Sequence, residues 1–384
     1  MKICLVGMHN LSALAPQYKH YTVGGEPVQQ TLLAKALASR GYETSMVVAD
    51  YGQADGLRCE TIRTFKAYRP DAGIPVLRFM HPRWTGLWSA LRRANADLYY
   101  TSCAGMEVGL IAMFCRWSGK RLVFRCASDT DCDKSRLLIK YSRDRWLYAY
   151  GLRRADAILV QSATQAQMLA RSYGLPSRVA GMLVERPLPD SRRDIDVLWV
   201  SNIRQLKRPD RILDMAAQLP QVNFHMVGGA LPDAAALYRE VKAAAAQRPN
   251  VTFHGGLSYW DANDLYGRAR LLVNTSDVEG FPNSYLQAWI RGVPVLTLID
   301  PDRVIEREGL GVAARSPDQL PGIIGTLLQN PLQLRALSER CRRYMAREFG
   351  EDKILSTYLD TFERVMHAGP HGPAALHSSG VPHA

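Results

Sequence analysis

The chain alternates short apolar segments with helical runs, and this alternation constrains the fold more than any other feature of the sequence. Lys2–Val6 has the length and composition of a buried strand. A long polar loop leads to Gly24 and Gly25, and a helical run at 27–40 and a second strand-like segment at 43–49 follow. A strand, a helix and a second strand in this order predict a βαβ unit with parallel strands.

The alternation starts again after a proline-rich, charged segment, Arg186–Asp194, which is typical of a linker. With 384 residues, the chain is long enough for two domains. We predict one domain at 1–186, a second at 187–349, a final helix at 350–367 and a disordered tail at 368–384. The fold class is α/β, with two doubly wound parallel sheets.

Composition narrows the possible partners. The chain is 47% hydrophobic and 22% charged, as expected for a globular protein, and its net charge is +12. That charge favours sugar nucleotides, anionic lipid headgroups or nucleic acid. The sequence contains no recognised nucleic-acid-binding motif, so we predict no nucleic-acid partner.

Cysteine usage and the apolar runs indicate the compartment. The seven cysteines include no Cys-x-x-Cys pair, which argues against a disulfide framework or a zinc site. The longest later apolar run, Val108–Cys115, is too short to cross a bilayer. We therefore expect a cytoplasmic protein, with any membrane contact peripheral and at the inner face of the plasma membrane.

The stretch from Asn274 to Trp289 predicts a ligand pocket. An apolar strand runs into a polar loop with Glu279, and a Gly280-Phe281-Pro282 turn precedes a helix that Asn283 is expected to cap and that carries Gln287. Ligands of open α/β sheets bind beyond the carboxyl ends of the strands, and helix N-termini favour anions. The alternative is a surface glutamate in front of an ordinary buried helix.

Glu279 and the turn suit a sugar attached to a phosphate. The carboxylate accepts hydrogen bonds from hydroxyls, and the backbone at Gly280 allows close approach of a ring. Two cations, Arg204 and Lys207, lie after the predicted strand at 195–200, where Pro209 opens a helix. We expect phosphate there, although a solvated basic helix start is the plainer reading, and Arg208 is a neighbour that resembles either cation.

These residues resemble the signature of retaining GT-B glycosyltransferases of family 4, in which two glutamates flank a Gly-Phe-Pro segment and a helix. The resemblance implies two facing Rossmann-like domains with an interdomain cleft, the last helix crossing back to the first domain. It also implies that Glu279 and the turn amides hold the donor sugar, that Gln287 stands where a second glutamate holds the ribose, and that Arg204 and Lys207 bind the diphosphate.

Further site residues follow from the resemblance and from strand ends. The predicted donor-binding set is Gly24, Gly25, Gly228, Gly280, Phe281, Pro282, Asn283 and Gln287. The alternative for Gly24 and Gly25 is a plain tight turn. Many family members carry a histidine after the strand equivalent to 121–126; this chain has Ser128 and Asp129 there, and Asp129 is the predicted catalytic residue on the acceptor side. We predict no metal site and no cofactor, the donor being a nucleoside-diphosphate sugar of UDP or GDP type.

Two segments mix cations with aromatic side chains. The first basic-aromatic cluster comprises Arg69, Arg78, His81, Arg83, Trp84, Trp88, Arg92 and Arg93. The second basic-aromatic cluster comprises Lys140, Arg143, Arg145, Trp146, Tyr148, Tyr150, Arg153 and Arg154. Both suit an anionic membrane interface or an acidic glycan. The alternative is a helix whose aromatics face the core while its arginines face water.

The resemblance therefore implies sugar transfer from a nucleotide sugar to an acceptor hydroxyl with retention of configuration. The basic-aromatic clusters favour a lipid-linked or growing surface glycan as the acceptor. An oxidoreductase is disfavoured because neither half carries the full Gly-x-Gly-x-x-Gly fingerprint with its ribose-binding acid. A non-catalytic relative that binds sugars or polyanions remains the alternative, because Gln287 replaces a glutamate.

Overall fold

The computed structural model describes residues 1–18, 24–74, 77–185, 192–231 and 234–368. The chain divides into two compact units. Unit 1 consists of residues 1–14, 29–181 and those from Ile354 on, and unit 2 of residues 15–28 and 182–353. The predicted tail at 369–384 and most of the predicted linker, 186–191, lie outside the described residues.

Unit 1 is built on one sheet. Its strands are β1 (Lys2–Val6), β2 (Glu43–Val48), β3 (Arg58–Cys59), β4 (Ile62–Lys66), β5 (Leu98–Ser102), β6 (Arg121–Arg125), β7 (Ala157–Val160) and β8 (Arg178–Val179). They lie in the order β3-β4-β2-β1-β5-β6-β7-β8 and are parallel except for the short β3–β4 pair. Its helices are α1 (Leu11–Leu14), α2 (Gly25–Ser39, which starts in unit 2), α3 (Thr85–Ala94), α4 (Met106–Ser118), α5 (Ser142–Arg154) and α6 (Ala163–Tyr173).

Unit 2 has a parallel sheet of its own. Its strands are β9 (Ile195–Val200), β10 (Phe224–Val227), β11 (Val251–Gly255), β12 (Ala269–Asn274), β13 (Val295–Thr297) and β14 (Gly311–Ala313), in the order β11-β10-β9-β12-β13-β14. The helices that follow them are α7 (Pro209–Gln218), α8 (Ala235–Ala246), α9 (Tyr259–Arg268), α10 (Asn283–Ile290), α11 (Val304–Glu308), α12 (Leu320–Leu328) and α13 (Pro331–Glu348). The last helix, α14 (Glu351–His367), belongs to unit 1 from Ile354 on.

Both faces of the unit 2 sheet are covered, as expected for parallel strands whose sequence is apolar throughout. Successive side chains of a strand point to opposite faces. Leu198 accordingly packs in one core cluster with Trp289, while Val197 and Trp199 pack in the other with Phe224. The two-unit α/β fold with doubly wound sheets is therefore the one that the sequence predicted.

Two details of the unit boundaries differ from the prediction. The division falls at 181/182 instead of 186/187, and residues 15–28 belong to unit 2 instead of the first domain. A local sequence pattern gives no signal for which of the two units the segment 15–28 joins.

Helices α4 and α5 of unit 1 approach closely at glycines. A Cβ on Gly109 would collide with the carbonyl oxygen of Leu147, and a Cβ on Gly151 would lie 2.7 Å from the carbonyl carbon of Val108. The two helices pack backbone to backbone at this crossing. Among the described residues, no helix is both long and apolar enough to span a membrane.

Replacing Gly109 with alanine should destabilise unit 1 by about 1–3 kcal/mol, because the added methyl forces the two helices apart. Gly325→Ala is the matched control: Gly325 lies inside α12, and an added Cβ would meet nothing within 4 Å. The same substitution there should stabilise by about 0.5–1 kcal/mol through helix propensity alone. Urea unfolding measures both, and equal midpoints for the two variants would contradict the glycine crossing.

Candidate functional site

The strand order of unit 2 creates a crevice between β9 and β12. The chain proceeds from β9 to β10 and β11 on one side, whereas β12, β13 and β14 extend the sheet on the other. The loops that follow β9 and β12 therefore diverge at the carboxyl edge of the sheet. This is the topological switch point at which open α/β sheets bind ligands.

An ion pair joins the two loops at this point. The Nζ atom of Lys207, after β9, lies 2.7 Å from Oε1 of Glu279, after β12, and the two side chains are only 20% and 12% exposed. Ser276 Oγ and Asn274 Nδ2 also donate to Oε1, at 2.6 and 3.2 Å. None of the hydrogen bonds among the described residues uses Oε2 of Glu279, so this oxygen is available to a ligand hydroxyl.

Backbone and side-chain bonds fix the two loops to each other. The backbone N–H of Asp277 donates to the carbonyl of Leu206 at 2.8 Å. The hydroxyl of Thr275 donates to the carbonyl of Lys207 at 2.8 Å and accepts from the indole of Trp199, also at 2.8 Å. Because Thr275 is fully buried, the backbone that carries Lys207 is anchored to the core.

The three neighbouring cations after β9 differ in their partners. Arg208 has a left-handed backbone (φ 49°) and binds the carboxylate of Asp210 through Nε and Nη2, with Asp277 3.6 Å away. Arg204 is exposed and has no partner among the described residues. The structure thus separates Arg208, which is neutralised, from Arg204 and Lys207, which lie on either side of the same 3₁₀ turn.

The Gly280–Asn283 segment leads from the loop after β12 into α10. Phe281 turns its ring into the core, 6.1 Å from the ring of Trp289, so the segment presents its backbone instead of its side chain. The prediction that Asn283 caps the helix is wrong. The N-cap residue is Pro282, no side chain caps α10, and Asn283 is the first helical residue. A proline that cannot donate occupies the cap, so the first turn of α10 keeps unpaired donors that favour an anion.

The early glycine pair lies against this helix start. Gly25 begins α2 within the part of the chain that belongs to unit 2, and a Cβ there would collide with the side-chain amide of Asn283. Oδ1 of Asn283 is buried without a hydrogen-bond partner among the described residues. Gly24, one residue earlier, has only Pro27 nearby. Gly25 thus has a steric reason to be glycine, and donor contact of the pair stays a prediction.

Gly228 also has a steric reason to be glycine. It follows β10, and a Cβ there would collide with the carbonyl oxygen of Ser201 and approach Ile203 to 2.8 Å. The backbone N–H of Ile203 donates to the carbonyl of Gly229 at 3.1 Å. Gly228 therefore lets the loop after β9 pack onto the end of β10, and its contact with a donor remains a prediction.

Gln287 is buried in a polar network. The residue is 4% exposed; Oε1 accepts from Nη1 of Arg291 at 2.9 Å, and Nε2 donates to the hydroxyl of Tyr259 at 3.0 Å. Burial lowers the pKa of Arg291 from its usual value, although the neighbouring Tyr259 and Tyr266 counteract the shift. The predicted contact between Gln287 and a ribose thus involves an amide that already has two protein partners.

The predicted acceptor-side residue, Asp129, lies in unit 1 in a 3₁₀ turn after β6. Its Oδ1 accepts from Nε2 of Gln165 at 3.1 Å. Asp131, two residues later, accepts from the backbone N–H groups of Ala127 and Ser128 at 2.8 and 3.2 Å in a capping box. Asp131 thus holds the turn together, and the catalytic role of Asp129 stays a prediction.

Comparison with known families places both halves of the chain. Residues 24–183 match a family model described as a glycosyl transferase 4-like domain, and residues 194–330 match one described as glycosyl transferases group 1. The chain belongs to the group 1 glycosyltransferase family.

Individual relatives agree with the family. D-inositol 3-phosphate glycosyltransferase of Mycobacterium avium (strain 104) is 27% identical over 238 residues, 55% of each chain. The chain thus spans about half the length of the curated relatives it matches. Sucrose-phosphate synthase from Thermosynechococcus elongatus superimposes with a TM-score of 0.77 at 18% identity, covering 96% of this chain and 100% of that one. HepE of Anabaena, solved with UDP and glucose, gives 0.75 at 16% identity, covering 94% and 99%. The fold of this chain is therefore GT-B.

Unit 1 has a switch point of its own, and the residues there were not predicted from the sequence. β1 and β5 are neighbours from which the sheet extends in opposite directions. His9 lies in the loop after β1, and Glu107 lies in the first turn of α4, after β5. The strand-end argument that singled out Glu279 would also have found His9, because it follows Lys2–Val6 by three residues.

The hydroxyl of Tyr51 lies between His9 and a backbone carbonyl. It lies 3.3 Å from the carbonyl oxygen of Met8 and 3.0 Å from Nδ1 of His9. A phenol has one hydrogen, so when that hydrogen is donated to Met8, Nδ1–H of His9 donates to Tyr51 and Nε2 carries the lone pair. Burial among protein atoms lowers the pKa of His9, and the charge of Glu107 raises it less. His9 is therefore neutral at pH 7.

We predict that NMR titration of His9 gives a pKa below 6.5, with the hydrogen on Nδ1. Glu107→Gln should lower this pKa further, because it removes the negative charge that favours the imidazolium. Glu306→Gln is the control, since Glu306 is an exposed carboxylate of unit 2 that pairs with Arg303. A pKa that rises in Glu107→Gln, or a hydrogen on Nε2, would contradict the assignment.

Proposed function

We propose that the protein transfers a sugar from a nucleoside-diphosphate sugar to an acceptor hydroxyl with retention of configuration. The observation that carries the proposal is the Lys207–Glu279 ion pair at the unit 2 switch point, beside the uncapped start of α10. Retention rests on the family resemblance, and the acceptor class, a lipid-linked or growing surface glycan, rests on the basic-aromatic clusters. HepE, solved with UDP and glucose, supports a nucleotide donor of the UDP type.

The ion pair supplies both halves of a donor site. Lys207 has three ammonium hydrogens, so it can keep its bond to Glu279 and also donate to a phosphate oxygen. Arg204, exposed and without a partner among the described residues, adds a second cation from the same turn. The donors at the start of α10 face the same anion. Oε2 of Glu279 accepts hydrogen bonds from the sugar hydroxyls.

During the reaction, negative charge develops on the diphosphate beside these cations. The bond between the anomeric carbon and the phosphate oxygen breaks, and its electron pair leaves with the diphosphate. The acceptor oxygen bonds to the anomeric carbon on the same face, and its proton passes to the departing phosphate oxygen. Arg204 and Lys207 stabilise the diphosphate more strongly as it leaves, which is the interaction that lowers the barrier. Glu279 stabilises positive charge on the sugar.

Lys207→Ala should weaken binding of UDP- or GDP-sugars at least tenfold and lower the rate of transfer by about 10²–10³, the usual cost of losing one such donor. Arg204→Ala should act in the same direction. Arg335→Ala, an exposed arginine of α13, is the control. Thermal shift and product formation in the presence of EDTA measure both effects.

Two results would contradict this function. Stabilisation of the parent by no nucleotide sugar, or stabilisation that survives in Lys207→Ala, would remove the donor site. Binding without product would instead indicate a non-catalytic relative. The proton NMR coupling of the anomeric hydrogen in the product tests retention.

We also propose that unit 1 contacts an anionic membrane through its basic-aromatic clusters. A groove of about 560 Å³ is lined by Met80, Trp84, Thr85, Trp88, Ser89, Arg92, Arg93, Phe114 and Trp117. Trp117 is 67% exposed and stacks on Trp88 at 5.9 Å. Exposed tryptophan beside arginine suits the interface of a bilayer, where the ring enters the headgroup region and the cation meets lipid phosphate.

The second basic-aromatic cluster divides between surface and core. Trp146 is 59% exposed and stacks on Tyr150, whereas Tyr148 is fully buried and donates to the carbonyl of Asp131. The reading in which aromatics face the core is therefore correct for Tyr148 and in part for Tyr150, which packs against a core cluster, but not for Trp146. Arg143 lies 3.7 Å above the ring of Phe79, which precedes Met80, so the two clusters are neighbours in unit 1.

Flotation with vesicles of phosphatidylglycerol and phosphatidylcholine should carry the parent protein upward, and vesicles of phosphatidylcholine alone should not. The double variant Trp117→Ser, Arg92→Glu should lose this binding. Trp260→Ser with Arg335→Glu changes the same residue types in unit 2 and should retain it. Equal flotation of the two double variants would contradict the proposed membrane contact.

A further inference from the structure

The amide of Gln287 is held in one orientation by its neighbours. Arg291 has only hydrogen-bond donors, and its Nη1 lies 2.9 Å from one terminal atom of Gln287 and 3.0 Å from the backbone carbonyl of the same residue. The atom that faces Arg291 must therefore be Oε1. Nε2 must then face Tyr259, to whose hydroxyl it donates at 3.0 Å.

This orientation determines what the hydroxyl of Tyr259 can do. Its oxygen accepts from Nε2 of Gln287 at 3.0 Å, so one lone pair of the phenol oxygen is engaged. Its hydrogen has no acceptor among the described residues.

Tyr259 is the accessible member of this network. Gln287 is 4% exposed, Arg291 8% and Asn263 9%, whereas Tyr259 is only partly buried. Burial raises the pKa of Tyr259 to about 12, although the nearby side chain of Asn263 counteracts the shift. The hydroxyl therefore keeps its hydrogen at neutral pH and is a donor. Because Tyr259 is only partly buried and its hydrogen has no acceptor among the described residues, this hydrogen is free to bond to water or to a ligand.

The position of Tyr259 relates it to the donor site. Tyr259 opens α9 just after β11, at the carboxyl edge of the sheet that also carries Lys207 and Glu279. Gln287 lies four residues into α10 from Asn283, which is about 6 Å along the helix axis. A nucleotide whose diphosphate lies at the start of α10 can extend its nucleoside that far.

We propose that the hydroxyl of Tyr259, and not the amide of Gln287, donates the hydrogen bond that recognises the nucleoside half of the donor. The partner is an acceptor oxygen of the ribose or of the base. Gln287 acts as a positioning residue: its Nε2 fills a lone pair of Tyr259 and leaves the phenol hydrogen directed at the ligand. The inference rests on the proposed donor site at Lys207 and Glu279.

Titration calorimetry with UDP and with GDP tests the hydroxyl directly. Tyr259→Phe should raise the dissociation constant of the better nucleotide about three- to tenfold, the range for one neutral hydrogen bond. Tyr266→Phe is the control, because Tyr266 lies on the same helix near the same Arg291 and has no hydrogen bond to Gln287. Thermal unfolding without nucleotide shows whether each variant is folded.

Gln287→Glu changes nucleotide affinity in opposite directions depending on whether Tyr259 or residue 287 contacts the nucleoside. A carboxylate only accepts, so Glu at 287 would pair with Arg291 and draw the hydrogen of Tyr259 inward, away from the ligand. Binding should weaken by a factor similar to that of Tyr259→Phe, and the double variant should be no weaker than either single one. If residue 287 itself held the ribose, the glutamate would bind the nucleotide more tightly, and the proposal would be overturned.

A deoxynucleotide identifies the oxygen. If Tyr259 hydrogen-bonds to the ribose 2′-hydroxyl, the parent protein binds 2′-deoxy-UDP more weakly than UDP. The Tyr259→Phe variant then binds the two nucleotides with equal affinity. If it reads another oxygen, Tyr259→Phe weakens both nucleotides by the same factor. A Tyr259→Phe protein that binds as the parent does would overturn this inference alone, whereas a parent that binds neither UDP nor GDP would overturn the donor site as well.

Discussion

The ion pair between Lys207 and Glu279 is the interaction on which the donor half of the molecule depends. Both side chains are largely removed from water, and removing one partner of a buried pair commonly costs about 3–5 kcal/mol, because the other charge is left uncompensated. The pair is stable here because Ser276 and Asn274 also donate to the carboxylate. A pair held this firmly presents one free carboxylate oxygen and two spare ammonium hydrogens to a ligand.

Lys207 and Glu279 are far apart in sequence, and the fold brings them together. Seventy-two residues separate them, and they meet because β9 and β12 are neighbours at the point where the sheet reverses its direction of growth. Trp199, at the end of β9, and Thr275, at the end of β12, join the two loops in the core below. The same topology in unit 1 brings His9 towards Glu107. One architectural rule therefore accounts for both sets of polar residues.

Most of the fold could be predicted from the sequence, because strands with both faces buried appear as uninterrupted apolar runs. The pocket stretch was identified because Glu279 and the Gly-Phe-Pro turn are contiguous. The orientation of Gln287 could not be predicted, since it depends on Arg291 one helical turn away and on Tyr259 from another helix. The cap at Pro282 was missed because asparagine is usually the better cap, and here the proline precedes it.

The arrangement of the basic-aromatic clusters also could not be predicted from composition. Composition alone does not separate Trp146 from Tyr148, yet the 3.6-residue period of α5 exposes one and buries the other. The stacking of Arg143 on Phe79 joins segments more than sixty residues apart, and no local pattern predicts it.

A structure of the protein with a bound nucleotide sugar would show whether Lys207 and Glu279 form the donor site. We predict that the diphosphate contacts Nζ of Lys207, the guanidinium of Arg204 and the first backbone N–H groups of α10, with a sugar hydroxyl on Oε2 of Glu279. A diphosphate bound away from Lys207, with the ion pair unchanged and Oε2 facing only water, would contradict it.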